Sequence, residues 1–589
     1  MKRSLAILLF STLALIVFHR FDHLYQFNWL IFYWWLINFS ALFILVLVNI
    51  PKNSYLKFIG FIKQDRIYLT AILILAVITR FALLSTYPYI TIADEVRDAG
   101  LNAVLIRTGA IKDFFGFGSY EGYGVFIPVI SYFFLPFFKH SSLIYLIPTA
   151  FFGVLTIMLT YLCMRFIFGR LMALASSIFI IGSILHLHYS RSYFVVTSDA
   201  LFSIIIILLV YISLTYRRLI FYLLTGLIIG LSIQFYSGIW ALVLSAIIYL
   251  FLQNLAFVFY RKHNQRLRWR QFLDIGIFFL IGLIAGIGPK LNNFNLINLH
   301  LSNSSHTGTF FTTTTFTSFS IIDKSIFLIN NYVHALLSYV YEPMKSIYLY
   351  YKMSFVDFPI NLLFIIGFVL MVFAWRKKED QRFLTRLLLI AVLFIPMINQ
   401  VLVNQIGYDY RMFSLIPVTA MISAYALIRL TNKFLNRRKT IVVSFILVIF
   451  LLFQFNIYFL QRPSDNHSSE LGIKEYVLQQ IVDYIASHDN YSHYYVLDDD
   501  EYDFALHHVE KLEYFSHPMT GQFVDKDTFL HLLSQEDSRN DLFMTLSLHQ
   551  ELSDRNMKYV KKTCMTDSFL PDYRCPKNYT GDYGFYIVQ

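Results

Sequence analysis

Apolar segments long enough to cross a membrane recur through the first 460 residues of the chain and then stop. A bilayer core requires roughly 17 to 25 apolar residues in each helix. After residue 460, short apolar runs such as "YYVL" and "YGFYIVQ" alternate with helical patterns such as "KEYVLQQIVDYIAS". The pattern predicts a polytopic α-helical membrane protein with a small C-terminal soluble α/β domain.

Short loops rich in Lys and Arg stay in the cytoplasm, so their positions orient the helices. Such loops lie near residues 52–66, 165–170, 217–218, 261–270, 376–386 and 429–439. With all of them on one side, the sequence predicts thirteen transmembrane helices and a cytoplasmic N-terminus. The predicted spans are approximately 4–18, 29–50, 67–85, 143–164, 171–188, 194–214, 219–236, 238–260, 272–289, 355–375, 386–403, 411–429 and 440–460.

Two apolar segments need separate interpretation. The run at 125–138 must not cross the membrane if the basic loops on both sides of it are cytoplasmic, so we place it along the outer interface. The first span follows Lys2 and Arg3, as a signal peptide does. No small-residue cleavage site follows it, because residues 19–23 read "HRFDH". We therefore expect an uncleaved anchor.

Composition agrees with a membrane protein and changes the meaning of the net charge. Of the 589 residues, 57% are hydrophobic and 14% charged, which excludes a wholly water-soluble chain. The formal net charge is +11, yet residues 462–589 hold 22 acidic and 11 basic side chains. The positive charge therefore belongs to the membrane region, where it reports orientation, and it does not indicate nucleic-acid binding.

Three long segments face outward in this topology: residues 86–142, residues 290–354 and the tail. Cys564 and Cys575 lie eleven apart in the tail, whereas Cys163 lies inside a span. An outward-facing pair in an oxidising compartment predicts a disulfide, with two free thiols as the alternative.

Acidic residues occur at two outward-facing positions. Asp94 and Glu95 open a stretch of helical pattern in the first outer loop, where ordinary helix capping is the alternative to a catalytic role. Asp199 lies about one turn inside an apolar helix, and an acid is costly there unless it is paired or functional. Arg191, just before that helix, is also compatible with snorkelling to the interface.

Two further cations, Lys290 and Arg411, lie where predicted spans meet the outer face. Each is also compatible with an ordinary role as a cation that anchors its helix at the membrane interface. The topology nevertheless places these cations at the same membrane face as Arg191 and the acids. Chemistry on a lipid phosphate needs acids and cations together, so the pattern favours a site there.

Several ordered motifs resemble a known family. The segment "LIYLIPTAFFGVLTIMLTYLCMRFIFG" and the following "SRSYFVVTSDA" resemble the membrane-integral glycosyltransferases of the GT-C superfamily. The nearest branch contains the protein O-mannosyltransferases and the lipid A aminoarabinose transferases. The matching residues are Pro148, Phe152, Gly153, Leu155, Thr156, Arg165, Phe168, Gly169, Ser190, Arg191, Asp199 and Ala200.

Two more segments, "ADEVRDAG" and "YDYRMFSLIPVTAM", are similar to motifs of the same family. The family's "HPPLYYWL" motif is replaced by "EGYGVFIP", which retains Glu121 but lacks the His-Pro-Pro. The resemblance covers residues 67 to 430. It divides the chain into two N-terminal helices (1–60), a GT-C-like catalytic region (61–460) and an extracytoplasmic domain (461–589).

The resemblance implies an inverting sugar transfer from a polyprenyl-phosphate donor to a hydroxyl of a glycan, lipid or protein. Asp94 would be the general base, and Glu95 would bind the acceptor or orient that base. Arg411 and Lys290 would bind the donor phosphate with Arg191 behind them. In supporting roles, Asp199 would hold Arg191 by a hydrogen bond, beside Tyr408 and Glu121.

The resemblance to bacterial members also implies an inner-membrane protein with a periplasmic tail. No cofactor is required, although a divalent metal shared by Asp94 and Asp199 is the alternative. The competing class is a transporter or lipid flippase, because many spans with intramembrane charges fit it too. No inverted repeat is visible, which favours the enzyme. A non-catalytic scaffold is a third class, and it would leave Asp94 without a role.

Overall fold

The computed structural model describes most of the membrane region and the strands of the tail. The described residues are 2–22, 28–50, 60–84, 96–111, 113–116, 126–138, 142–192, 195–259, 267–293, 320–344, 354–374, 382–401, 406–434, 438–461, 493–497, 520–524, 528–529, 531–532, 542–545, 557–562 and 583–588.

The described residues of the membrane region are mostly helical. Its α-helices are α1 (Lys2–Phe21), α2 (Asn28–Asn49), α3 (Arg66–Phe81), α4 (Asn102–Thr108), α5 (Phe126–Phe138), α6 (Leu143–Ile167), α7 (Arg170–Gly182), α8 (Ile184–Tyr189), α9 (Thr197–Tyr216), α10 (Leu219–Ser232), α11 (Trp240–Phe259), α12 (Trp269–Ile287), α13 (Ile321–Leu337), α14 (Ile360–Ala374), α15 (Arg382–Pro396), α16 (Ile416–Phe434) and α17 (Lys439–Phe455). Short 3-10 or π segments are Val96–Leu101, Ser237–Ile239, Gly288–Asn293, Met397–Val401, Asp409–Leu415 and Asn456–Gln461.

Nine helices among the described residues are long and apolar enough to cross a membrane. They are Arg3–Phe21, Asn28–Asn49, Leu143–Ile167, Thr197–Tyr216, Ser237–Phe259, Trp269–Asn293, Phe383–Val401, Asp409–Phe434 and Lys439–Leu460, and four shorter apolar helices accompany them. The chain is therefore a multi-pass integral membrane protein. The count of thirteen spans stays a prediction.

Two segments differ in length from a full span. Helix α5 has 13 residues, about 20 Å at 1.5 Å per residue, which is short for a core of about 30 Å.

The predicted span 171–188 is broken at Ser183, whose backbone is extended. Arg80 donates to the carbonyls of Ile180 and Ile181, and the Ile184 amide donates to Asp357 at 3.3 Å. These two side chains satisfy the backbone groups that the break releases.

Helices α10 and α12 pack backbone to backbone through paired glycines. A Cβ at Gly226 would lie 2.1 Å from the Phe279 carbonyl oxygen, and one at Gly282 would lie 2.1 Å from the Leu223 carbonyl oxygen. Gly230 and Gly286 repeat the arrangement one turn further on. The segments "GLIIG" and "GLIAG" are thus small-residue interfaces of the kind that joins membrane helices.

A buried acid joins three helices at the start of α3. Asp65 accepts hydrogen bonds from Arg165, from Arg170 Nε at 2.8 Å and from the Tyr161 hydroxyl at 3.0 Å. Both arginines also lie over aromatic rings, Arg165 over Phe61 and Arg170 over Tyr68. We call Asp65, Tyr161, Arg165 and Arg170 the Asp65 cluster. It ties α3 to α6 and α7.

The N-terminal helices pack against the first outer loop predicted from the sequence. The Trp29 and Phe114 ring centroids are 4.6 Å apart, and those of Trp35 and Phe126 are 5.2 Å apart. The Trp35 indole also donates to the Ala285 carbonyl at the end of α12. Aromatic contacts therefore fix this loop onto α2.

The tail contains a five-stranded sheet in the order β2-β1-β3-β5-β4. Its strands are β1 (His493–Leu497), β2 (Thr520–Val524), β3 (Leu542–Thr545), β4 (Met557–Lys562) and β5 (Tyr583–Val588). β1 pairs in parallel with β2 and β3, and β5 pairs antiparallel with β3 and β4. Parallel neighbours need crossover connections, which are usually helical. The α/β domain stays a prediction.

Candidate functional site

The sequence-predicted site residues divide into two groups. Arg191, Asp199, Lys290, Tyr408 and Arg411 lie among the described residues. Those outside the described residues are Asp94, Glu95 and Glu121 of the first outer loop and Cys564 and Cys575 of the tail. Their roles and the disulfide therefore stay predictions.

Arg191 is fully buried against the end of α3. Its Nη1 donates to the carbonyls of Thr79 and Arg80 at 2.9 and 3.2 Å, and its Nη2 donates to those of Ala82 and Leu83 at 2.7 and 3.1 Å. The last carbonyls of a helix have no partner within the helix. One planar guanidinium thus satisfies four carbonyls where α3 leads into the first outer loop.

Asp199 lies in the first turn of α9 and is 1% exposed. Neither of its carboxylate oxygens has a hydrogen-bond partner among the described residues. The predicted hydrogen bond between Asp199 and Arg191 is therefore wrong, because Arg191 turns toward the end of α3. A buried acid is costly unless a partner satisfies it, and no described residue does so here.

Arg80 is a buried cation that sequence reasoning missed. Its Nη2 lies 2.7 Å from His186 Nδ1, and its Nη1 donates to the Thr79 hydroxyl at 2.8 Å. An arginine only donates, so His186 Nδ1 is the acceptor and the imidazole is neutral in this arrangement. The sequence does contain a signal for it, because an arginine inside the apolar run 67–85 is costly unless it has a partner or a function. The two arginines give the end of α3 two adjacent positive charges.

Arg411 is connected to Asp199 through a small polar bridge. The Asn399 Nδ2 donates to the carbonyl of Gly238 at 2.8 Å and to that of Arg411 at 2.9 Å. A Cβ on Gly238 would lie 2.3 Å from Asp199 Oδ2, so only glycine fits against the carboxylate. The Arg411 guanidinium carbon lies 5.1 Å from the Tyr410 ring centroid. The structure therefore brings together two residues that are 212 positions apart in the chain.

Tyr408 begins the turn that carries Arg411. Its carbonyl accepts from Gln400 Nε2 at 3.2 Å, and Gln400 Oε1 accepts from the Gly407 amide at 3.3 Å. Its ring centroid lies 5.7 Å from that of Tyr410. The buried Gln400 side chain thus anchors the turn to the end of α15.

Lys290 is 2% exposed and belongs to a cluster at the end of α12. Its charge interacts with Asp113, which accepts from Asn293 Nδ2 at 2.7 Å and lies 3.1 Å from His19 Nε2. Burial raises the pKa of Asp113, but the hydrogen bonds from His19, Asn293 and the Phe115 amide outweigh it and lower that pKa below its usual value. Asp113 is therefore an ionised partner for the buried lysine.

Two residues of the family-like motifs meet in the packing. A Cβ on Gly153 of α6 would lie 2.5 Å from the Ser190 Cβ, immediately before Arg191. The Ser190 hydroxyl donates to the His186 carbonyl at 2.6 Å. Gly153 therefore lets α6 approach the segment that holds Arg191.

Among the described residues, no group of three or more His, Cys, Asp or Glu side chains lies closely enough together to hold an ion. A metal shared by Asp94 and Asp199 stays a prediction, because Asp94 lies outside the described residues. His186 is engaged with Arg80, and His188 packs against the rings of Tyr189 and Tyr458.

Comparisons with known proteins find similarity at low identity to solved structures. No family model matches the chain, and no curated protein matches it. Among solved structures, the chain is similar to the oligosaccharyltransferase of Archaeoglobus fulgidus complexed with Zn and sulfate, with 17% identity and a TM-score of 0.41. That alignment covers 77% of this chain and 62% of the archaeal enzyme. The chain therefore spans less than two thirds of that enzyme's length.

A second similar structure is ArnT from Cupriavidus metallidurans bound to undecaprenyl phosphate. The identity is 13% and the TM-score 0.46, over 88% of this chain and 97% of ArnT. At 17% and 13% identity, these similarities concern the fold alone.

Proposed function

We propose that the protein is a GT-C-type membrane glycosyltransferase. It transfers a sugar from a polyprenyl-phosphate donor to a hydroxyl acceptor at the membrane face where α3 ends and α9 begins. We call this face the Asp199 end. The main observation is the buried carboxylate of Asp199, to which no described residue donates a hydrogen bond, beside the turn that carries Arg411. Such an arrangement is costly for folding alone and is typical of a site that a ligand completes.

The surrounding charges suit a lipid-phosphate donor. Two buried arginines, Arg80 and Arg191, lie at the same end of α3, and Arg411 lies on the turn bridged to Gly238. Arginine is well matched to phosphate because its fork of donors is planar and permanently charged. In this proposal Arg411 and Lys290 bind the donor phosphate, and Arg191 instead fixes the chain that leads to the catalytic loop.

The chemical step follows from these roles. Asp94 accepts the proton of the acceptor hydroxyl, and the acceptor oxygen forms a bond to the anomeric carbon. The bond between that carbon and the phosphate oxygen breaks, and the polyprenyl phosphate leaves with the electron pair. Attack opposite the leaving group inverts the anomeric configuration. Cations near the phosphate stabilise the charge that develops on it.

The remaining assignments belong to the same proposal. The acceptor is a glycan, a lipid or a protein, and Glu95 binds it or orients Asp94. No cofactor is required, and a divalent ion between Asp94 and Asp199 is the alternative. The protein lies in a bacterial inner membrane with its tail in the periplasm, where Cys564 and Cys575 form a disulfide.

Transfer of a radiolabelled sugar from polyprenyl phosphate tests the proposal in purified, lipid-reconstituted protein. We expect Asp94→Asn to abolish turnover while donor binding survives, and Arg411→Ala to weaken donor binding. Asp323→Asn, an exposed acid on α13, is the matched control and retains full activity. Donor moved across the bilayer without sugar transfer would instead establish the flippase alternative. Neither binding nor turnover with any donor sugar would contradict the proposed donor class.

A further inference from the structure

An apolar groove of about 380 Å³ opens between α10, α11 and α12. Its walls include Leu250 and Phe251 of α11 and Leu273, Gly276 and Leu280 of α12. Phe251, Leu273 and Leu280 are each more than half exposed. The groove therefore faces the surroundings of the helix bundle and is separate from the buried Asp199 site.

The groove lies at the opposite membrane face from Asp199. Helix α9 runs from Thr197 to Tyr216, 20 residues or about 30 Å, and the turn at Arg217 leads into α10 and the groove. Along α12, the groove extends from Phe272, in the first turn of the helix, to Leu280, about 12 Å. That depth is close to half of a hydrocarbon core of about 30 Å. The groove thus matches one leaflet.

The polar atoms in the groove satisfy each other. The Tyr222 hydroxyl donates to Asn254 Oδ1 at 2.8 Å, and the Asn254 amide donates to the Leu250 carbonyl at 2.7 Å. The other lining residues are apolar. A ligand here gains contact with hydrocarbon and few hydrogen bonds, which suits an acyl chain.

Basic residues surround the mouth of the groove. The Arg217 guanidinium carbon lies 3.6 Å from the Phe257 ring centroid, and its charge interacts with the Tyr222 hydroxyl. The Phe257 carbonyl accepts from the Leu267 amide at 3.0 Å, which brings the start of α12 to the same place. There Arg268 and Arg270 are exposed on either side of Trp269. Helices α10, α11 and α12 contain a single acid, Asp274.

We propose that this groove binds an anionic diacyl phospholipid of the leaflet opposite the Asp199 end. One acyl chain fills the groove above Gly276, and the phosphodiester lies between Arg217, Arg268 and Arg270. Basic pockets between membrane helices bind anionic head groups in this way, and Trp269 marks the level of the interface. The proposal does not depend on the transferase chemistry.

Filling the groove tests the acyl-chain site. A Cβ on Gly276 would meet no atom within 4 Å, so Gly276→Leu occupies the groove without disturbing the packing. Gly60→Leu is the matched control, because Gly60 has the same open space and lies outside the groove. The protein is extracted from membranes that contain equal amounts of phosphatidylglycerol and phosphatidylcholine. Native mass spectrometry then identifies the phospholipid that stays bound. We expect one phosphatidylglycerol on the wild type and the control, and its loss from Gly276→Leu.

Removing the basic mouth tests the charge preference. Arg268→Gln and Arg270→Gln change exposed side chains, so both variants retain the fold. Each is expected to lower phosphatidylglycerol occupancy roughly fivefold without changing that of phosphatidylcholine. The proposal is overturned if the wild type retains both phospholipids equally, if it retains a polyprenyl phosphate instead, or if Gly276→Leu retains phosphatidylglycerol.

Discussion

The two ends of α3 carry buried charges that are arranged in opposite ways. At its start, the acid Asp65 is surrounded by Arg165, Arg170 and the Tyr161 hydroxyl. At its end, Arg191 binds backbone carbonyls, and the nearby acid Asp199 has no hydrogen-bond partner among the described residues. The start of α3 therefore contains an ion-pair network around Asp65. At its end, the acid Asp199 and the cation Arg191 do not pair with each other.

This difference separates a structural cluster from a candidate site. A buried charge with all its partners stabilises the arrangement of the helices it connects. A buried charge without a partner weakens the fold and is retained where a ligand supplies the missing contact. The comparison therefore predicts that changes at the Asp65 cluster affect stability, whereas changes at the Asp199 end affect function.

The largest expected effect is at the Asp65 cluster. Asp65→Ala leaves two arginines without their shared acid and is expected to lower the free energy of unfolding by about 3 kcal/mol, near the low end for a buried ion pair because Arg170 is 42% exposed. Thermal unfolding in detergent measures this loss. Tyr161→Phe removes one hydrogen bond and is expected to cost about 1 kcal/mol. An unchanged melting temperature in both variants would contradict the structural role.

Asp199→Asn is expected to have the opposite signature. The substitution removes a buried charge at nearly constant volume, so the melting temperature stays the same or rises. Sugar transfer is expected to fall roughly 100-fold, because the bound substrate loses its contact with the charged Asp199 carboxylate. Turnover and thermal unfolding of the same preparation give both values. Full turnover in the variant would remove Asp199 from the site.

Arg191→Lys distinguishes positioning from phosphate binding. A lysine keeps the charge but cannot donate to four carbonyls from one planar group, so we expect turnover to fall roughly tenfold while donor KM stays unchanged. Arg411→Lys is the matched comparison: lysine binds phosphate only as a point charge, so donor KM is expected to rise there while part of the donor binding survives. If Arg191→Lys raises KM and leaves kcat intact, then Arg191 binds the donor instead.

The smallest effect concerns acid stability. Burial raises the pKa of Asp65, but the hydrogen bonds from Arg165, Arg170 and Tyr161 outweigh it and lower that pKa below the usual value of 3.8. The cluster therefore contributes fully above about pH 4, and its contribution is lost as the pH falls through the lowered pKa. Melting temperatures between pH 7 and pH 3 should decline less in Asp65→Asn than in the wild type. Parallel curves would argue against an ionised Asp65.

Much of the fold follows from local patterns in the chain. Apolar length predicted the membrane helices, since a span needs hydrocarbon contact along its whole length. Alternating patterns in the tail predicted strands such as "YYVL", which lies in β1. The break at Ser183 was missed because its stability comes from Arg80 and Asp357, which are distant in sequence. Local hydrophobicity cannot report such long-range hydrogen bonds.

The sequence by itself determined the membrane class of the protein and the unusual position of the acid Asp199 inside an apolar helix. Only the tertiary structure decided which charges are partners. It turned Arg191 toward the end of α3 and brought Asn399 against Gly238 and Arg411. The physical reason is that hydrophobic periodicity is read within one segment, whereas the partner of a buried charge depends on how separate helices pack.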